Sequence, residues 1–140
     1  MPHYVWLEWY VISEEFQKGR PHGLFFQVFR HGNRSPTELY PNDPHKNYKW
    51  SGGMGALSEV GALQMYNLGK NLRARYYRLI PSNGLYSKDD MYVLSSYAER
   101  CLMSAQSFLA GFMPPLQNSF PFAWQPIAVN SLARDRDTVS

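Results

Sequence analysis

The chain has 140 residues, enough for one domain of ordinary size and too few for two. Hydrophobic residues make up 44% and charged residues 18%, which excludes a disordered, acidic or collagen-like chain. The formal charge of +3 suits an anionic ligand but is far from the charge density of a dedicated nucleic-acid binder.

Residues 1–22 read as an N-terminal extension. Tyr4 to Ile12 is apolar and aromatic, but Glu8 interrupts it. No basic start and no small-residue cleavage site precede Glu14 and Glu15, so no signal peptide is visible in this chain. Leu24 to Phe29 is a short, almost continuously apolar run, the pattern of a strand covered on both faces. It stops at Arg30-His31-Gly32. Residues 33–56 carry Pro36, Pro41, Pro44, Gly52, Gly53 and Gly55 and are expected to form a long loop.

Ser58 is a candidate helix cap. From there Gly61, Met65, Leu68, Leu72, Tyr76 and Leu79 recur three or four residues apart, which predicts a helix to about Ile80, ended by Pro81 and Gly84. Met91 to Leu94 is a second apolar strand. Ala98, Leu102, Ala105, Leu109 and Phe112 mark a second helix, stopped by Pro114-Pro115, and Ile127-Ala128-Val129 is a third strand. Strand, helix, strand, helix, strand predicts an α/β fold with a partial parallel sheet and flanking helices. Sites in such sheets lie beyond the C-terminal strand ends, where Arg30 to Arg34 and Glu99-Arg100 fall.

The segment Arg30-His31-Gly32-Asn33-Arg34-Ser35-Pro36 places two guanidiniums around one imidazole. Arginine presents planar bidentate donors that match phosphate oxygens. Nearby positive charge lowers a histidine pKa and keeps a ring nitrogen free in acid, as a nucleophile toward phosphorus requires. A bare Arg-His-Gly would fit a solvated basic turn equally well. Arg34 and Pro36 at these spacings, behind a buried-type strand, favour a site.

This segment resembles the R-H-G-x-R-x-P signature of the histidine acid phosphatases. The resemblance continues through Trp50, Gly53 to Ser58, Gly61, Gln64, Leu68-Gly69, Leu72-Arg73 and Arg75-Tyr76. It includes Ser96, Arg100, Leu102 to Ala105 and Pro114-Pro115, and reaches Trp124 to Ile127. It covers about residues 23–129 and is closer to the prostatic and lysosomal branch than to the phytases. It implies a phosphoglycerate-mutase-like fold, incomplete here, with 23–140 as the N-terminal part of the domain. It implies that His31 attacks a phosphate monoester and becomes phosphohistidine, while Arg30, Arg34 and Arg100 hold the nonbridging oxygens. It implies no metal and no cofactor, a phosphate monoester as partner, and a lysosomal or secreted location.

The chain departs from the family in lacking its later His-Asp pair, the source of the general acid. Asp135 and Asp137 have no preceding histidine and are poor substitutes. Asn33 stands where animal members often carry Asp, and Tyr97 and Glu99 stand where many do. The expected function is therefore an acid phosphatase acting through His31, in a fragment without its general acid. The alternative is a non-catalytic, truncated phosphatase-like protein that binds phosphate.

Other signals read as structure. Cys101 is alone and expected to be a small buried hydrophobe. Cys101 to Ala133 is uncharged, but its four prolines exclude a membrane span. Asn33-Arg34-Ser35 fits a glycosylation sequon inside the expected pocket, followed by Pro36, and is expected to be unoccupied. Gly53-Met54-Gly55 is a turn and no dinucleotide loop. Lys70, Arg73, Arg75 and Arg78 spread around a helix end, where they complement the dipole, so no nucleic acid is expected as partner. His3, His22 and His45 are given no role. Phe108 to Trp124 are expected to supply core, or faces for further parts of the domain.

Overall fold

The computed structural model describes residues 4–10, 24–116, 120, 121 and 123–131. Its elements are β1 (Tyr4–Tyr10), β2 (Leu24–Arg30), α1 (Glu59–Arg75), a 3-10 turn (Tyr77–Leu79), β3 (Tyr92–Ser95), α2 (Glu99–Phe112) and β4 (Asn130–Ser131). The fold is α/β, and the sheet is partial, with strand order β2-β1-β3-β4. β3 and β4 pair in parallel.

One strand lies within the expected extension. Tyr4-Val5-Trp6-Leu7 and Trp9-Tyr10 are β-branched, aromatic or apolar residues that favour extended backbone. β1 pairs antiparallel with β2, from Tyr4↔Arg30 to Tyr10↔Leu24, and antiparallel with β3, from Val5↔Ser95 to Glu8↔Tyr92. β2 and β3 therefore point the same way, one strand apart, as the alternating order of strands and helices requires. The third expected strand begins three residues later than Ile127, at Asn130.

Ser58 caps α1, its hydroxyl accepting from the Gly61 N–H at 3.0 Å. The helix is shorter than its apolar period suggests. The last turn tightens into the 3-10 segment at Tyr77, so Tyr76 and Leu79 reach the core from outside α1. α2 packs on the sheet and α1 packs on α2. The core joins Phe29 of β2, Val93 of β3 and Cys101, Ala105, Phe108, Leu109 and Phe112 of α2. Phe108 stands between Phe29 and Phe112, with ring centroids 4.7 and 5.2 Å away.

The two helices touch backbone to backbone. A Cβ on Gly69 would overlap the Phe108 carbonyl oxygen, and one on Gly111 would overlap that of Tyr66. Glycine is the residue that permits this approach. Phe108 and Phe112 are fully buried, as expected, but Trp124 is 47% exposed. Other exposed aromatics include Tyr40, Tyr48 and Tyr77, and Phe26 and Tyr92 project from the sheet face away from Phe29 and Val93. Among the described residues no helix is long and apolar enough to cross a membrane. His3, His22, Asp135 and Asp137 lie outside the described residues.

Candidate phosphate site

β2 delivers Arg30 to the sheet's C-terminal edge, and the chain turns there through His31 and Gly32. The following residues are zipped to the segment before α1. The Ser35 N–H donates to the Ala56 carbonyl at 3.0 Å, and the Ser58 N–H donates to the Asn33 carbonyl at 2.9 Å. The Ser35 hydroxyl donates to the Gly53 carbonyl at 2.7 Å. Gly52, Gly53 and Gly55 all take positive φ, so the expected turn needs its glycines. Gly32 lies against Gly61, where a Cβ on either would overlap backbone. The first turn of α1 is thereby pressed against the loop.

Arg30, His31, Gly32, Asn33, Arg34 and Gln64 line an open groove of about 330 Å³. Arg100 enters from the first turn of α2, the element that follows β3. A larger cavity of about 570 Å³ lies at the opposite end of α1, lined by Arg73, Tyr77, Arg78, Ile80 and Leu116 among others. It shares no residue with the imidazole groove, and its size says nothing about where the chemistry lies.

His31 Nδ1 is 2.7 Å from the Gly32 carbonyl oxygen. A carbonyl only accepts, so Nδ1 carries the proton and Nε2 keeps its lone pair. The His31 pKa is held below the ordinary histidine value of 6.5. Partial burial is the largest cause. The Gly32 hydrogen bond opposes it, and the charges of Arg100, Arg30 and Arg34 lower the pKa further. The sequence pointed to positive charge alone. The structure adds desolvation and makes it the greater effect. Arg100, sixty-nine positions from His31 in sequence, acts on it more strongly than either neighbouring arginine. The three expected arginines thus all act on the imidazole of His31. Two buried guanidinium atoms, Arg34 Nε and Arg100 Nε, have no hydrogen-bond partner among the described residues.

A lowered folded-state pKa has a defined consequence. The unfolded chain takes up a proton as pH falls through 6.5, while folded His31 does not until lower pH. The contribution is complete above 6.5 and is lost as pH falls toward the folded-state pKa. An NMR titration of His31 is expected to place its midpoint below 6.5 and to move it upward when inorganic phosphate, an anion, is added. A midpoint at or above 6.5 without phosphate would contradict the desolvated, arginine-flanked setting.

Asn33 is exposed, and its side-chain oxygen accepts from the Ser58 hydroxyl at 2.7 Å, so the sequon asparagine is part of the α1 cap. Gln64 and Ser104 also contact the loop. The Asn33 N–H donates to Gln64 Oε1 at 3.0 Å, and the Gly32 N–H donates to Ser104 Oγ at 3.1 Å. Sequence reading gave neither a role. The available signals were their place in the segments that carry the family resemblance and, for Ser104, a serine inside the buried stripe of α2. Among the described residues no group of three or more His, Cys, Asp or Glu could hold a metal.

Comparison with known proteins places the chain among acid phosphatase relatives. The lysosomal acid phosphatase of Bos taurus is 44% identical over 114 residues, covering 78% of this chain and 26% of that protein. The lysosomal acid phosphatase of Homo sapiens is 41% identical over 113 residues, covering 79% and 26%. The prostatic acid phosphatase of Homo sapiens is 35% identical over 137 residues, covering 96% and 33%. The chain spans about a quarter to a third of the length of these curated relatives. The family pattern "Histidine phosphatase superfamily (branch 2)" matches residues 26–138, from within β2 past β4, and the chain belongs to that family.

Proposed function

We propose that this chain carries the nucleophile and anion-binding half of an acid phosphatase that hydrolyses phosphate monoesters. The observation that carries the reading is that three guanidinium charges act on one imidazole of lowered pKa, whose Nδ1 is engaged by a carbonyl and whose Nε2 has no hydrogen-bond partner among the described residues. His31 Nε2 attacks phosphorus, the bond from phosphorus to the leaving oxygen breaks, and the phosphoryl group passes to His31. Arg30, Arg34 and Arg100 offset the charge on the three nonbridging oxygens. Water then attacks the phosphohistidine and releases phosphate. The buried Nε atoms of Arg34 and Arg100 favour this use, since a cationic donor without a partner is costly until an anion meets it. By similarity to the lysosomal and prostatic relatives, the location is lysosomal or secreted.

The 140 residues contain no His-Asp dipeptide, so the leaving alcohol has no general acid of the family type within them. This supports a second reading, phosphate binding without turnover of ordinary esters. Substrate choice separates the two. General acid help is worth roughly 10²–10⁴ in rate, and an aryl leaving group needs little of it. The expected result is phosphate release from 4-nitrophenyl phosphate in acid and far slower release from glycerol phosphate. Phosphate binding with neither aryl turnover nor a phosphohistidine signal in 31P NMR would leave the binding reading. Failure to bind phosphate would overturn both.

A further inference from the structure

The geometry points to Gln64 and Ser104 as positioning residues that fix the tautomer and ring orientation of His31 by clamping the two peptide groups of Gly32. The role of His31 as nucleophile rests on the function proposed above, but the clamp itself rests on the hydrogen bonds. The Gly32 carbonyl that accepts from His31 Nδ1 belongs to the same peptide group as the Asn33 N–H. That N–H donates to Gln64 Oε1 on α1. An N–H needs an acceptor, so the amide oxygen of Gln64 faces the loop. Bonding at one end of a peptide group polarises the other, so Gln64 both aims the carbonyl and strengthens it as acceptor.

The preceding peptide group, between His31 and Gly32, is held from the other helix. Its N–H donates to Ser104 Oγ, and the Ser104 hydroxyl donates to the Arg100 carbonyl at 2.7 Å. Ser104 is fully buried, so this bond has no competition from solvent. One side chain thus couples the histidine loop to the turn that bears Arg100. Gly32 cannot drift toward α1, because Gly61 closes that side. The result is a nucleophile whose free nitrogen is set by one contact from each helix.

Gln64 gives the cleaner test because it is exposed and its replacement leaves the core intact. In 15N NMR of the full chain labelled at imidazole nitrogens, neutral His31 is expected to be protonated at Nδ1. Gln64→Leu is expected to shift it toward a mixture with the Nε2-protonated form. Gln64→Glu keeps an acceptor and is expected to restore the Nδ1-protonated signature. Phosphohistidine formation from 4-nitrophenyl phosphate is expected to fall about threefold to tenfold in Gln64→Leu, the range of one lost hydrogen bond, with phosphate affinity changing less. A His31 signature unmoved in Gln64→Leu, or moved equally in both variants, would overturn the clamp. A mixed tautomer in the unaltered chain would do the same. If the tautomer responds as expected and the unaltered chain neither binds phosphate nor forms phosphohistidine, the clamp stands and the phosphatase reading fails.

Discussion

His31→Ala is expected to abolish phosphohistidine formation and to reduce release of phosphate from 4-nitrophenyl phosphate by more than about 10³-fold, a conservative figure for loss of a covalent nucleophile. The guanidiniums of Arg30, Arg34 and Arg100 remain in this variant. Inorganic phosphate is therefore expected still to bind, most nearly as before above the His31 pKa. The measurement is a paired one, turnover by absorbance and binding by calorimetry. Lost turnover with kept binding assigns His31 to the chemistry. Unchanged turnover would remove it from the mechanism, whatever the binding shows.

The second large effect falls on the fold. Gly111→Ala puts a methyl group where α2 meets the backbone of α1 at Tyr66 and Lys70. Alanine favours helix over glycine by about 1 kcal/mol, so an open position would gain stability. Here the opposing atoms are backbone and cannot rotate away. Overpacking costs of about 1–3 kcal/mol then add to whatever separation of the helices is needed. The expected outcome is a net loss of about 1–3 kcal/mol in denaturant unfolding. Asn71→Ala, on an exposed position of α1, serves as the control and is expected to raise stability by a few tenths of a kcal/mol. A stabilised Gly111→Ala would show that the helices do not touch as described. Because Gln64 and Ser104 sit on these two helices, loss of the contact is also expected to loosen the histidine loop.

Much of this was legible in the residues. The apolar run ending at Arg30, the Ser58 cap and the period of α1 and α2 are local signals, and each produced an element close to its expected place. The candidate site was legible as a cluster because its residues are concentrated: two arginines and a histidine share one turn, and Arg100 opens a helix after the next parallel strand. β1 was not legible as part of the sheet, since aromatic, partly charged residues near a terminus do not say which edge or gap they enter. Nor was the support of Gly32, because a hydrogen bond between residues 32 and 104 leaves no periodic trace. The aromatic surplus was only partly legible for a related reason. Composition counts rings but cannot tell that Phe108 and Phe112 are enclosed while Phe26, Tyr92 and Trp124 face outward.

The placement of β1 also sets a length. Adjacent strands lie about 4.8 Å apart, so inserting one between β2 and β3 separates their C-terminal ends by roughly 10 Å. His31 departs from one of these ends and Arg100 from just beyond the other. Were β2 and β3 direct neighbours, that span would be about halved. With β1 between them, roughly 10 Å separates the strand ends from which the His31 loop and the Arg100 helix depart. The width of a single strand thus sets the spacing between the two halves of the proposed anion site.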